Sequence, residues 1–191
     1  MIANALLFLL HTLLGLFSLA VLLRFYLQLT GAPFQNPASQ AIFALTNFAV
    51  KPLRRFIPSW GKLDLSTLLL AYFSQFLLQL GVLWLRDFPL FVAGQAVWGA
   101  LLGIALIGVF KLSVYIFLFA VFIQAILSWI NPYTPMSSVL DALTRPILNP
   151  LRKRIPMAGG IDLTPLVVFI CAQLLLILLI SPLEQQFASL L

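Results

Sequence analysis

The sequence predicts an all-α polytopic membrane protein of about four transmembrane helices, built from two tandem repeats of the same orientation. Three observations carry this. First, 62% of the 191 residues are hydrophobic and 8% are charged, with a mean hydropathy of +1.09. A soluble domain carries about a quarter charged residues and could not hide so much apolar surface. Second, the stretch from Asn36 to Leu65 returns ninety-eight residues later, without a gap, as Thr134 to Leu163. Pro52, Leu53, Arg54, Ile57, Pro58, Gly61, Asp64 and Leu65 recur as Pro150, Leu151, Arg152, Ile155, Pro156, Gly159, Asp162 and Leu163. Third, both copies lie between apolar runs long enough to cross a hydrocarbon core of about 30 Å. The repeats are therefore residues 1–98 and 99–191, each a span, an amphipathic stretch, a basic loop and a second span.

The elements follow in order. Residues 2–29 form the first span. Ser18-Leu19-Ala20 resembles a signal-peptide cleavage site, but no basic segment precedes it and the apolar run is too long, so the span is expected to be retained. Asn36-Pro37 and Thr134-Pro135 each pair a capping side chain with proline at the first helical position, and so predict helix starts. The helices they open, about 37–50 and 135–148, are too short and too polar to span. In the first, Ala38, Ala41, Ile42, Leu45 and Ala49 share a face opposite Ser39, Gln40, Thr46 and Asn47. In the second, Val139, Leu140, Leu143 and Ile147 oppose Ser137, Ser138, Asp141 and Arg145. Two placements are open: an interfacial helix in the membrane surface, or a re-entrant segment packed on the spans. The basic loops KPLRRFIPSWGK and NPLRKRIPMAGG come next. Their prolines are expected to end helix, and Gly61, Gly159 and Gly160 to permit a turn. Asp64 and Asp162 then stand where they can cap spans at about 65–85 and 163–182.

Charge decides the crossing number. Lys51, Arg54, Arg55 and Lys62 in one loop and Arg145, Arg152, Lys153 and Arg154 in the other should all face the cytoplasm. An even number of crossings must then separate them. One is the second span; the other is about 101–127, with Phe88–Val97 either lying at the outer interface or extending the helix. Both termini are then expected to lie outside the cytoplasm, in a multi-pass membrane protein. Trp84 and Trp98 fall at the outer interface, and Tyr26, Trp60, Trp129 and Tyr133 at the inner one. Repeats of one orientation exclude an inverted-repeat transporter.

Composition also limits the chemistry. His11 and Cys171 are solitary, so no disulfide, zinc or haem motif can be written, and no metal or cofactor is expected. Phosphate-loop, HExxH and GxSxG motifs are absent. No nucleophile–base pair is visible, and the protein is not expected to be an enzyme. The net charge of +6 lies mostly beside spans, which points to anionic lipid and not to nucleic acid.

The doubled pattern, carried best by Phe34-Gln35-Asn36-Pro37, Pro52-Leu53-Arg54-Arg55 and Gly160-Ile161-Asp162, closely resembles the YggT family of bacterial inner-membrane proteins, whose cyanobacterial and chloroplast relatives carry one repeat. The resemblance covers nearly the whole chain. It implies links to osmotic stress tolerance and ion homeostasis, to cell division and nucleoid or thylakoid organisation, and, in plastids, to assembly of cytochrome b-type haem proteins. Together these suggest an accessory protein for membrane complexes. The second copy departs from the first at Thr134 for Asn36 and Asn149 for Lys51.

The eight loop cations are the candidate contacts for lipid headgroups or for a membrane-protein partner complex. The bland reading is topology alone, which does not require Pro52, Pro58, Gly61 and Asp64 to return as Pro150, Pro156, Gly159 and Asp162. Asp64 and Asp162 can pair with the arginines or simply cap helices. Lys111 sits in the third span, where a cation costs about 2.5–3.5 kcal/mol on insertion scales. It either has a role there, with Tyr115 one turn on, or snorkels outward. Gln75 and Gln173, at equivalent positions, read as helix-packing hydrogen-bonders. Gly99 and Gly103 can allow close helix approach, and Arg24 reads as an interface anchor. The leading functional expectation is a non-enzymatic scaffold or assembly factor; the rival is a small channel or ion-transport modulator, which would need a homo-oligomer.

Overall fold

The computed structural model describes residues 2–90, 94–131, 134–155 and 162–191, the side chain of Trp129 excepted. It is helical throughout: α1 (Ile2–Thr30), α2 (Pro37–Leu53), α3 (Leu65–Leu85), α4 (Gly94–Ile130), α5 (Pro135–Arg152), α6 (Thr164–Leu175) and α7 (Ser181–Ala188), the last two joined by a π turn at Leu176–Ile180. No strand occurs among the described residues. Four helical stretches are long and apolar enough to cross a membrane: Ile2–Thr30, Leu65–Leu85, Gly94–Ser128 and Thr164–Ala188.

Small residues let the spans approach. The Ser18 and Ser74 hydroxyls meet at 2.7 Å between α1 and α3. A methyl group on Gly81 would collide with Leu10 of α1. On the other side of α3, the Gln75 amide fills the space left by Gly108 of α4, and the Tyr72 hydroxyl donates to the Leu102 carbonyl at 3.1 Å. Gly103 admits the ring of Phe187 from α7, while Gly99 meets nothing. Without a hydrophobic drive between helices in lipid, such close packing and hydrogen bonding are what hold spans together.

The two non-spanning helices lie at the same end of the bundle. Leu27 and Ala32, from α1 and the turn after it, pack with Val139, Leu140 and Leu143 of α5. The Asn36 amide donates to the Pro135 carbonyl at 2.5 Å, tying the start of α2 to that of α5.

Several expectations are corrected. The first proline of each loop does not stop the helix at once: Pro52 lies inside α2 and Pro150 inside α5, which end at Leu53 and Arg152, and Pro58 lies outside helix. Pro52 and Pro150 each forfeit a single bond, and bonding resumes beyond, from the Arg54 N–H to Val50 and from Ile155 to Leu151. The final span does not stop near Pro182. The π turn just before that proline absorbs its missing N–H, and the helix continues to Ala188. The third span begins at Gly94, so residues 94–97 extend the helix; Phe91–Ala93 lie outside the described residues.

Which face of α2 turns inward is a choice that the sequence left open. Its polar face is turned inward, with Ser39 and Thr46 buried, while Leu45 and Phe48 are exposed. The α5 helix also buries Thr144, the counterpart of Thr46, but with Val139, Leu140 and Leu143 around it, and exposes Ser138, Arg145 and Asn149. The two helices at equivalent repeat positions thus share a buried threonine and differ in what is buried beside it.

Candidate functional site

The basic loops close by the same ion pair. In the first repeat the Arg54 guanidinium uses two nitrogens on Asp64 Oδ2, the Nε contact measuring 3.1 Å. In the second, Arg152 Nε reaches Asp162 Oδ2 at 2.9 Å. An arginine ending one helix and a carboxylate opening the next therefore clamp the intervening turn. Inside the first loop, Trp60 and Leu63 exchange backbone hydrogen bonds of 2.9 and 3.0 Å. Gly61 sits between them at a φ of 60°, a conformation costly for a side chain. Ser66 donates to the Ile57 carbonyl at 2.6 Å and draws the loop onto α3. Pro156 and Gly159 of the second loop lie outside the described residues.

Pairing and capping divide unequally between the aspartates. Asp162 does both: its second oxygen, Oδ1, accepts the Thr164 N–H at 2.9 Å. Burial pushes its carboxyl up, but the bonds from Thr164 and Arg152 outweigh that and hold it below the ordinary 3.8. Asp64 makes no capping bond, contrary to expectation, and its buried Oδ1 has no partner among the described residues. Thr134 does not cap α5 either; its hydroxyl pairs with Ser137 at 2.7 Å, whereas Asn36 caps α2 by accepting the Ala38 N–H at 2.9 Å.

The remaining loop-end cations fall into two groups. Arg145 pairs with Asp141 one turn away at 2.5 Å. Lys51, Arg55, Lys62, Lys153 and Arg154 are exposed and have no carboxylate partner among the described residues. Each loop thus spends one arginine on its own shape and leaves its other cations outward.

The intramembrane candidates separate. Lys111 pairs with Glu184 of α7 at 2.6 Å, each side chain about a third exposed. Neither a foreign carboxylate nor snorkelling is needed to explain it. Tyr115, one turn on, is exposed. Gln75 is buried against α4, but Gln173, its repeat counterpart, is exposed on α6. The two glutamines do not share an environment. Among the described residues, no three His, Cys, Asp or Glu side chains gather as a metal-binding group.

One residue matters more than its sequence context indicated. Arg24 is 2% exposed, not an interface anchor. Its Nη1 donates to Thr46 Oγ1 and to Asn47 Oδ1, both at 2.9 Å, and its guanidinium lies 4.5 Å from the centre of the Phe43 ring. This is why the polar face of α2 turns inward. In the second repeat Phe122 occupies the equivalent position, and Thr144, the counterpart of Thr46, bonds instead to Gln124. The signal was present in the sequence: an arginine inside an apolar run, followed by a Thr-Asn pair on the polar face of the next helix.

Comparisons with known proteins agree with this architecture. The family model described as CCB3/YggT matches residues 3–85 and again 103–183. An uncharacterized protein of Pseudomonas aeruginosa is 38% identical over 182 residues, 93% of this chain and 89% of its own. An uncharacterized Vibrio alginolyticus protein, named for its place in the proC 3' region, is 37% identical over 176 residues, 89% of this chain and 90% of its own. The uncharacterized protein YggT of Escherichia coli K12 is 34% identical over 166 residues, 86% of this chain and 84% of its own. No solved structure matches. With two family matches that together cover most of the sequence, and relatives aligned over nearly their full length, the chain belongs to the CCB3/YggT family.

Proposed function

We propose that this protein is a non-enzymatic scaffold of the bacterial inner membrane, with periplasmic termini, whose two basic units engage anionic lipid headgroups. Through that contact it aids the assembly or organisation of membrane complexes and supports osmotic stress tolerance. The observation that carries this reading is the division of labour among the loop cations. Arg54 and Arg152 are held by Asp64 and Asp162, while Lys51, Arg55, Lys62, Lys153 and Arg154 stay exposed and unpaired among the described residues. Loops serving only to orient the chain would have no need of a repeated internal clamp. An ion-conducting oligomer is the weaker reading, because Lys111, on which it rested, is paired with Glu184 of its own chain.

The division dictates the test. Each cation near an anionic surface contributes about 1 kcal/mol. Replacing the five free cations by Gln, with Arg54 and Arg152 kept, is expected to abolish enrichment of anionic phospholipid on the purified protein without lowering its melting temperature. Unchanged enrichment in that variant would refute the proposal.

A further inference from the structure

The face of α3 that meets α4 has an uncovered twin in the second repeat. On α3, Leu68, Tyr72, Gln75 and Gln79 form one stripe, and none of them is exposed. Tyr72 and Gln75 hold α4 at Leu102 and Gly108. The counterparts of the four are Leu166, Ile170, Gln173 and Ile177, and every one is exposed. Lipid covers apolar side chains as well as protein does, so the leucine and the isoleucines demand nothing further. Gln173 is different. It stands about 14 Å along the span that starts at Thr164, near the middle of a hydrocarbon core of about 30 Å. Its amide makes no hydrogen bond among the described residues. An amide without partners is costly in hydrocarbon, and polar side chains at such depth bond across helices.

Symmetry and spacing say which helix it meets. Copies inserted in one membrane share an orientation, so a two-fold axis along the membrane normal sets Gln173 of each copy at the same depth. A glutamine amide carries donors and an acceptor, and across such an axis it is complementary to itself. The stripe recurs at steps of four, three and four, the seam of a parallel two-helix coil. Ile170 and Ile177 fall at its a positions, where β-branched residues favour pairs over larger assemblies, and Leu166 and Gln173 fall at d. Left-handed crossings of about 20° are the commonest between membrane helices. A head-to-tail array, with α1 of one copy lying on α6 of the next as α4 lies on α3, is blocked. The α1 residue equivalent to Gly108 is Leu10, already packed on Gly81 of its own chain. We propose that the protein forms a two-fold dimer through α6, in which each Gln173 amide donates to the side-chain carbonyl of the other. The dimer is independent of the lipid contact; together they gather four basic units at one end of the assembly.

The test mixes donor- and acceptor-labelled full-length protein in phosphatidylcholine bilayers and dilutes it with lipid. The absence of anionic lipid keeps the outcome separate from headgroup binding. Energy transfer is expected to fall along a monomer–dimer curve. Gln173→Leu, on an exposed side chain that the fold does not use, loses two reciprocal bonds and is expected to weaken pairing about tenfold. Cross-linking then locates the face. In a Cys171→Ser background, Ile170→Cys is expected to form an intermolecular disulfide under mild oxidation. The native Cys171 borders a cleft with Ile147 and Leu151 of α5, off the stripe, and is expected to stay unlinked. A wild type that is monomeric at every dilution would overturn the inference and leave Gln173 to a different membrane protein. Undiminished pairing in Gln173→Leu, linking through Cys171 as fast as in Ile170→Cys, or a trimer or larger ring would overturn it too.

Discussion

At the scale of single residues, Arg24 shows how a buried charge organises its neighbourhood. It donates two charge-assisted bonds, to Thr46 and Asn47, and stacks on Phe43, all three on α2. Bonds to charged groups contribute about 1.5–3 kcal/mol each. Arg24→Met is therefore expected to cost about 3 kcal/mol, a fall in melting temperature of about 6–12 °C for a chain of this size. Gln124→Leu removes only the neutral bond to Thr144 and should cost about 1 kcal/mol. A thermal-shift comparison in one detergent measures both, and an unaltered Arg24→Met melting curve would mean that the contact to α2 carries no weight. Arg24 was plainly visible in the sequence as a cation in an apolar run. Its direction was not, because so long a side chain near the end of a span reaches the water or a neighbouring helix equally well. Lys111 was hidden for a related reason: nothing local connects it with Glu184, seventy-three residues away.

Helices and loops show what periodicity can and cannot reveal. It identified which residues of α2 share a face, but not which face turns inward. For a soluble protein the apolar side must be the inner one. A helix beside hydrocarbon has no such rule, since its surroundings can be as apolar as its core, and a polar cluster gains most by meeting Arg24. The repeat likewise announced two equivalent loops but not their divergent aspartates: Asp162 Oδ1 accepts the Thr164 N–H, and Asp64 makes no such bond. That divergence has a pH consequence. Asp162 has a folded-state pKa held below its ordinary 3.8 by Thr164 and Arg152. A depressed carboxyl stabilises fully above its unfolded value and loses that contribution as pH falls through its folded value. The wild type is therefore expected to melt higher than Asp162→Asn at pH 6, and the gap should close as pH drops below about 4. A gap that stayed constant down to pH 3 would show that the cap and ion pair do not act through the ionised carboxylate.

For the whole molecule, the decisive feature is where charge lies. Eight of its eleven lysines and arginines occupy the end formed by α2, α5 and the two loops, with three carboxylates among them. Arg86 and Asp87 lie at the turn after α3, toward the other end. The short loops of the basic end are the kind that the positive-inside rule counts. The Asn36–Pro135 bond and the packing of Leu27 and Ala32 on α5 hold both repeats' basic units at that end. This much was legible in advance, because an ungapped repeat joined by two crossings can only place its copies on one side. Reporter fusions at Lys62 and Arg152 are thus both expected to read cytoplasmic, and one at Arg86 periplasmic. The same fusions in the variant lacking the five free cations are the control on the lipid experiment. If orientation is kept by Arg54, Arg145 and Arg152 alone, a loss of bound lipid is a loss of headgroup contact. If the fusions invert, the free cations serve to orient the chain, and the lipid result says nothing of a binding surface. A wild-type protein reporting Lys62 and Arg152 on opposite sides would be the graver outcome, since two units in different leaflets could not form one anionic-lipid surface.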